Sequence, residues 1–258
     1  MVGCLASIAD HEPIQPPPDP LVVVYEDDAV LVVDKPDGLV THPAYRNPDG
    51  TLWDQLVPWF AARGLGRPAM LHRLDRATSG ALCVPKHLEA HRRLERALRA
   101  GKFEKEYLAL VHGRPDDAGT IDAPLARDPA DRRRIVPCSA GKPARTRYTV
   151  VRRFSAHALL RVTLETGRTH QIRAHLAGLG FPVAGDLVYG GTDPALSRLF
   201  LHADRLAFPR VDGPGMVRCR APLPVELRGV LYRLREGGAG PPAEARGLRL
   251  RPDGRDDG

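Results

Sequence analysis

The chain has 258 residues, 43% of them hydrophobic, and a formal net charge of +7 at pH 7. Its four cysteines include no C-x-x-C pair, which argues against a disulfide framework or a zinc ribbon. The sequence shows neither a basic segment followed by an apolar run nor eighteen consecutive apolar residues, so we expect a cytoplasmic protein with no membrane partner. The mildly basic balance favours a polyanionic partner.

Three regions differ in composition. Residues 1–20 contain five prolines, and residues 237–258 contain six glycines and three prolines among charged residues. Such segments bury too little apolar surface to order themselves, so we predict disordered tails at 1–19 and 237–258. No internal repeat or linker interrupts the remainder, which predicts a single catalytic domain over residues 20–236.

The first predicted elements form a β-hairpin, with β-branched strands at 21–25 and 29–33 around the acidic turn 26–28. Thr51, with Asp54 three residues later, is a capping-box pattern that starts a helix. A second, half-exposed helix is predicted over 86–100, where leucines recur at near-helical spacing before Gly101.

Further along, "EKEYLALVHG" at 104–113 predicts a strand buried on both faces. Segments 144–154 and 158–167 alternate in character as strands do, and 168–180 predicts a helix that ends at its glycines. Strands and helices that do not alternate regularly indicate an α+β fold, with a mixed or mainly antiparallel central sheet flanked by helices.

Asp75 lies in "LHRLDRATSG" at 71–80, between two arginines and just before an apolar run. By itself such an Asp is more often an ion-pair partner or a turn cap. The alternative is a carboxylate kept ionised in a partly buried cleft, where a neighbouring guanidinium makes its burial tolerable.

A second dense polar cluster lies within 168–173. Arg168, His170, Gln171 and Arg173 are either solvated helix positions or donors gathered to recognise phosphate or carboxylate.

Several long segments in this order resemble the RluA family of RNA pseudouridine synthases. They are "VVDKPDGLVTHP" (32–43), "LHRLDRATSGALCVPK" (71–86), "EKEYLALVHG" (104–113), "LETGRTHQIRAHLAGLGFPVAGDLVYG" (164–190) and "FLHADRLAFP" (200–209). The resemblance implies the pseudouridine synthase fold with a central active-site cleft. The chain resembles the shorter members, which lack an N-terminal ribosomal-protein-like RNA-binding domain.

The resemblance also implies roles for individual residues. Asp75 is then the catalytic residue, Tyr107 the active-site tyrosine, and Arg173 the basic residue that pairs with the catalytic carboxylate. Arg73 is expected to enter the RNA and hold the target nucleotide out of the stack. The remaining expected substrate or RNA contacts are Leu74 and Ile172, as apolar walls, together with Arg76, Arg168, His170 and Gln171.

The implied function is isomerisation of specific uridines to pseudouridine in structured ribosomal or transfer RNA, with no cofactor or metal, by a monomer that needs no protein partner. For Lys35 and Pro36 in "DKPDG" we keep a structural interpretation, a strand that ends in a turn. Residues 127–147 hold seven Arg or Lys against two Asp, which predicts a mobile basic loop that is either solvated or in contact with RNA.

Other functions compete with this one. An RNA-binding protein without catalysis is disfavoured because Asp75, Tyr107 and Arg173 are all present. A base-excising glycosylase would also use an Asp near C1′. A metal hydrolase would need His87 and His91 as ligands, but "HLEAH" is not the zincin spacing, and two helix-surface histidines are the simpler interpretation.

Overall fold

The computed structural model describes residues 21–45 and 47–236, so both predicted tails, 1–19 and 237–258, lie outside the described residues. Within these residues the chain forms eleven strands and four helices. Their bounds are β1 Val23–Glu26, β2 Val30–Lys35, α1 Leu52–Ala61, β3 Ser79–Pro85, α2 Leu88–Arg99, β4 Glu104–His112, β5 Ala118–Asp122, β6 Leu125–Arg127, β7 Ile135–Pro137, β8 Arg145–Arg153, β9 His157–Leu164, α3 Gln171–Gly178, β10 Leu201–Pro209, β11 Met216–Arg220 and α4 Val225–Arg235. None of these helices is long and apolar enough to cross a bilayer.

Nine of the strands form one sheet in the order β1-β2-β3-β10-β4-β9-β8-β5, with β11 also paired to β10. All pairs in this sheet are antiparallel except β3 with β10. The predicted α+β class with a mainly antiparallel sheet is therefore confirmed. The parallel contact requires Gly80, which has a φ of 119° and whose missing Cβ would lie 2.3 Å from the carbonyl oxygen of Ala203.

The N-terminal elements follow the sequence prediction closely. β1 and β2 form an antiparallel hairpin, and the Asp27 carboxylate closes its turn by accepting from the N–H groups of Ala29 and Val30. At the start of α1 the Asp54 carboxylate accepts from both the backbone N–H and the hydroxyl of Thr51. These local bonds explain why the turn and the helix start are readable from sequence.

The strand β4 runs through the middle of the molecule and is buried on both faces, as predicted. Tyr107, Ala109 and Val111 pack into one core cluster, whereas Leu108 and Leu110 pack into another on the opposite face. This alternation places Tyr107 on the face of the sheet that carries α1 and α3 residues. Helix α2 is half-exposed as predicted, because Ala90 and Leu94 are buried whereas Leu88 is exposed.

The basic stretch 127–147 is not the loop that the sequence predicted. It contains β7 and the start of β8, and β7 pairs with β6 in a separate two-stranded sheet. Its charges are partly paired internally, since the Arg133 guanidinium donates to the Asp131 carboxylate at 2.7 Å. The predicted helix over 168–180 is shorter than expected, because α3 begins only at Gln171.

Candidate active site

A cleft of about 520 Å³ opens beside β4. Nine of the ten site residues predicted from sequence line it, namely Arg73, Leu74, Asp75, Tyr107, Arg168, His170, Gln171, Ile172 and Arg173. They come from three parts of the chain: residues 71–78, strand β4 and residues 166–173. We call the first of these parts the Asp75 wall and the last the α3 wall. The fold therefore brings distant sequence motifs together around one concave surface.

The Asp75 wall is tied to the sheet through main-chain atoms. The buried Thr41 hydroxyl donates to the Leu74 carbonyl at 2.8 Å and lies 3.3 Å from the Leu74 N–H. Lys35 is fully buried, and its ammonium donates to the carbonyls of Pro36, Leu39 and Arg76. The structural interpretation of Lys35 is confirmed by these contacts, which lower the cost of burying its charge.

His72 adds a further anchor to the Asp75 wall. Its Nε2 accepts the backbone N–H of Cys83 on β3 at 3.1 Å, so the ring is neutral in this arrangement. Burial lowers the pKa of His72 to about 3, and the nearby Lys105 charge acts in the same direction. These anchors all bond to main-chain atoms. Within the described residues the Asp75 carboxylate itself takes part in no hydrogen bond or ion pair. Its oxygens are therefore available to a substrate.

Arg76 is the predicted site residue that does not line the cleft. Its Nε donates to the Gly38 carbonyl at 2.9 Å, so the side chain ties the Asp75 wall to the loop after β2. The expectation that Arg76 contacts substrate is thus not met by the geometry of the cleft. Its place directly after Asp75 in the sequence carried no information on the direction of its side chain.

The α3 wall is shaped by Gln171, which is 2% exposed. Its amide nitrogen donates to the Arg145 carbonyl and the Thr146 hydroxyl, and its amide oxygen accepts from the Thr166 hydroxyl and the Arg168 N–H. Both donors and the acceptor oxygen are used within the protein. Gln171 therefore holds the loop before α3 in place instead of presenting its amide to RNA.

His170 precedes α3 with a φ of 54°, a left-handed conformation in which His is enriched. Its Nδ1 lies 3.1 Å from the Tyr189 hydroxyl, which itself accepts the Ile135 N–H. Burial lowers the pKa of His170, with the charge of Asp75 acting against it, so the neutral ring is favoured.

Arg173 is paired differently from the prediction. Its Nε and one terminal nitrogen donate to the two carboxylate oxygens of Asp186 at 2.6 and 2.8 Å, and both side chains are buried. No ion pair between Arg173 and Asp75 occurs within the described residues. Burial disfavours the charge on Arg173, but the Asp186 hydrogen bond, the Asp186 charge and then the Asp75 charge raise its pKa. Arg173 thus acts on Asp75 at longer range, from a fixed position.

Tyr107 forms the floor of the cleft between the two walls. Burial raises the pKa of its phenol well above the ordinary value, and the negative charge of Asp75 adds to the shift. The hydroxyl therefore stays protonated at neutral pH. Leu74 and Ile172, the predicted apolar walls, are 3% and 4% exposed and belong to the same core cluster as Tyr107.

The sequence matches known proteins over the region that builds this cleft. Residues 29–178 match the family model described as RNA pseudouridylate synthase. The chain belongs to this family. A relative from Chloroflexus aurantiacus called "Uncharacterized RNA pseudouridine synthase" is 47% identical over 78% of this chain. "Ribosomal large subunit pseudouridine synthase D" from Xanthomonas campestris is 43% identical over 85% of this chain. Family and relatives place the chain among the isomerases.

The fold agrees with a solved structure of the same family. "Human RNA Pseudouridylate Synthase Domain Containing 1" superposes with a TM-score of 0.65 at 28% identity, covering 91% of this chain and all of that one. The chain spans 66% of the length of the Chloroflexus relative and 71% of the Xanthomonas relative. The predicted pseudouridine synthase fold is therefore confirmed.

Lys105 is a cleft residue that the sequence analysis did not single out. It lies two positions before Tyr107 on β4, so both side chains point to the same face of the sheet. Burial lowers the pKa of Lys105, and its ammonium has no hydrogen bond or ion pair to any described residue. An unpaired ammonium in this position is able to bind a phosphate oxygen.

The metal-hydrolase alternative fails on geometry. His87 is the N-cap of α2, and its Nδ1 accepts the Ala90 N–H at 3.2 Å. Neither His87 nor His91 belongs to a group of three metal-ligating side chains within the described residues. These histidines are helix-surface residues, as the simpler interpretation expected.

Proposed function

We propose that this protein converts uridine to pseudouridine in large-subunit ribosomal RNA, with Asp75 as the catalytic carboxylate. The observation that carries the proposal is one cleft lined by Asp75, Tyr107 and Arg173, in which the Asp75 carboxylate makes no hydrogen bond or ion pair to the described residues. The choice of ribosomal over transfer RNA rests on the name of the Xanthomonas relative. Transfer RNA is the second substrate class to be tested.

The reaction breaks the C1′–N1 bond, turns the uracil while it stays bound, and joins C5 to C1′. The C5 proton leaves and N1 gains one, so no oxidant, reductant or energy source is consumed. An ionised Asp75 can attack the sugar or the base, or abstract a sugar proton. Each route requires the carboxylate beside the nucleoside, and a rigid Asp75 wall supplies that position.

Tyr107 is proposed to stack on the bound uracil. Base–aromatic stacking contributes about 1–3 kcal/mol. Its raised pKa disfavours the further idea that the phenol removes the C5 proton, because a general base should have a pKa near the working pH. The fixed Arg173 guanidinium is proposed to stabilise negative charge at Asp75 and along the substrate.

Arg73 is proposed to hold the target base out of the RNA stack. Flipping costs a few kcal/mol, and a group that enters the vacated space offsets part of it. Arg73 is exposed at the rim of the cleft, and its guanidinium makes no hydrogen bond or ion pair to the residues that the structure describes. It is therefore free to move with the RNA.

The test of the proposal is to incubate the protein with ribosomal and transfer RNA from a strain that lacks it. New pseudouridines are mapped by carbodiimide-dependent stops in reverse transcription, with Asp75→Asn protein as the matched control. We expect new sites in large-subunit RNA with the wild-type protein alone. Sites only in transfer RNA would overturn the choice of substrate, release of free uracil would support a glycosylase, and binding without any product would support an RNA-binding protein.

Arg73→Ala tests the flipping role. We expect it to lower kcat/KM by at least tenfold on folded RNA and by much less on an unpaired oligonucleotide, because only the folded substrate needs its base extruded. Arg92→Ala is the control, because Arg92 is an exposed residue of α2 that does not line the cleft. Equal losses on both substrates would contradict the role.

A further inference from the structure

Two histidines face each other at the far end of the central strands. In the antiparallel pairing of β4 with β9, His112 lies directly opposite His157, and their ring centroids are 4.8 Å apart. His112 is five residues beyond Tyr107 on β4, about 17 Å along the strand. The pair therefore lies outside the cleft and has no part in the reaction proposed above.

A carboxylate from a separate loop completes the cluster. Asp193 Oδ2 lies 2.8 Å from Nε2 of His157, while Asp193 Oδ1 accepts the Ala195 N–H at 2.8 Å. The loop is thus folded so that one carboxylate oxygen is directed at the imidazole. One donor atom from each of His112, His157 and Asp193 lies within 4.8 Å of the other two.

The hydrogen-bonding capacity of the cluster is only partly used. Among the residues that the structure describes, the buried Nδ1 of His157 has no hydrogen-bond partner, and Nε2 of His112 has a single contact, at 3.3 Å with the Gly191 carbonyl. Nε2 of His157 is the ring nitrogen that faces Asp193, so an ion shared with Asp193 would bind there, and the buried Nδ1 would carry the ring proton.

We propose that His112, His157 and Asp193 form a binding site for a divalent transition-metal ion of the zinc type. Two imidazoles and a carboxylate are ligands that zinc accepts, with a fourth position left for water. Tetrahedral zinc with bonds of about 2.0–2.2 Å separates its ligand atoms by about 3.3–3.6 Å. In this structure one pair of ligand atoms lies 2.8 Å apart and all three lie within 4.8 Å of one another, so shifts of about 0.5–1.5 Å would give this spacing.

Metal binding at this site would fasten the loop that carries Asp193 to the ends of β4 and β9. The same loop region begins at Asp186, the partner of Arg173, and Asp186 forms a β-bridge with Gly191. The ion would therefore stabilise the fold behind the α3 wall. Because a ligand that binds only the folded state raises its stability, zinc should raise the melting temperature.

The test measures binding of Zn²⁺ to metal-free protein in competition with a chromophoric chelator, and of Co²⁺ by its visible absorption. We expect one equivalent per chain, a Co²⁺ spectrum typical of tetrahedral coordination, and a Tm higher by about 5–10 °C at a hundredfold excess over the Kd. His157→Gln and His112→Gln should each weaken binding at least tenfold.

His91→Gln is the matched control, because His91 lies on α2 away from the cluster. Its Kd should stay within twofold of wild type. Circular dichroism of each metal-free variant checks that it is folded. Asp193→Asn changes the third proposed ligand and should also weaken Zn²⁺ binding. Absence of saturable binding at one equivalent, or equal affinity in the wild type and the His157→Gln and Asp193→Asn variants, would overturn the proposal.

Discussion

The two walls of the cleft are held in place by different kinds of interaction. The Asp75 wall is anchored by Thr41, Lys35 and His72, which all bond to main-chain atoms. The α3 wall depends on a buried ion pair between Arg173 and Asp186 and on the amide of Gln171. One wall therefore leaves its charged side chain free for substrate, whereas the other neutralises its charge within the protein.

This difference indicates that the two charged side chains have different roles. In the proposed reaction the Asp75 carboxylate contacts the nucleoside, and the backbone that carries it is fixed without using the carboxylate itself. The guanidinium that must keep a fixed direction is held by a bidentate pair, which adds geometric specificity. Substitutions in the α3 wall should therefore cause the largest loss in the free energy of unfolding. Substitutions in the Asp75 wall should cause a smaller loss that depends on pH.

The largest expected effect comes from Asp186→Asn. It removes one partner of a buried ion pair and leaves Arg173 buried without its counter-charge, which typically costs about 3–5 kcal/mol. Denaturant unfolding of wild type and variant measures the loss. Glu95→Gln, which breaks the exposed Arg99–Glu95 pair, is the control and should change the free energy of unfolding little. Equal effects of the two substitutions would show that the α3 wall does not depend on its buried pair.

A smaller effect is expected from His72→Gln, and it should depend on pH. Burial lowers the pKa of His72 to about 3 in the folded protein, whereas the ordinary pKa of 6.5 applies in the unfolded chain. The stability due to neutral His72 is therefore present above pH 6.5 and is lost as the pH falls towards 3.

Between pH 7 and pH 5 the wild type should thus lose about 2 kcal/mol more than the His72→Gln variant, in which position 72 cannot titrate. Urea unfolding at several pH values gives the comparison. Parallel pH profiles for the two proteins would mean that His72 is protonated in the folded state or exposed to solvent, and the anchor to Cys83 would have to be abandoned.

The smallest effect is expected from Lys105→Met, between the two walls. Loss of one phosphate contact should reduce the slope of log K against log salt by about 0.7–0.9 in magnitude. RNA affinity measured at several salt concentrations gives this slope. Lys102→Met is the control, because Lys102 is exposed and does not line the cleft. An unchanged slope for Lys105→Met would remove Lys105 from the RNA-binding residues.

The sequence predicted those parts of the molecule that depend on local bonds or on strand alternation. The hairpin turn at Asp27, the helix start at Thr51 and the buried strand around Tyr107 are of this kind, and all are confirmed. Because Lys105 lies two residues before Tyr107, the sequence also predicts that both side chains lie on the same face of β4.

Other features depend on contacts between distant segments and could not be predicted from the sequence pattern. The partner of Arg173 is Asp186, an acid followed by apolar and glycine residues, and nothing local distinguishes it from Asp75 as a partner. The direction of Arg76 depends on where the loop of Gly38 lies. The β6–β7 hairpin was hidden because arginines and prolines dominate 127–147.

The most direct test of the central claim follows the C5 hydrogen of the target uridine. RNA labelled with tritium at uracil C5 is incubated with wild-type or Asp75→Asn protein, and tritium released to water is measured over time. Because joining C5 to C1′ expels the C5 hydrogen, the wild-type protein should release one tritium per modified site, and Asp75→Asn should release none above background. Release by Asp75→Asn at the wild-type rate would contradict the account, because the isomerisation would then proceed without the Asp75 carboxylate.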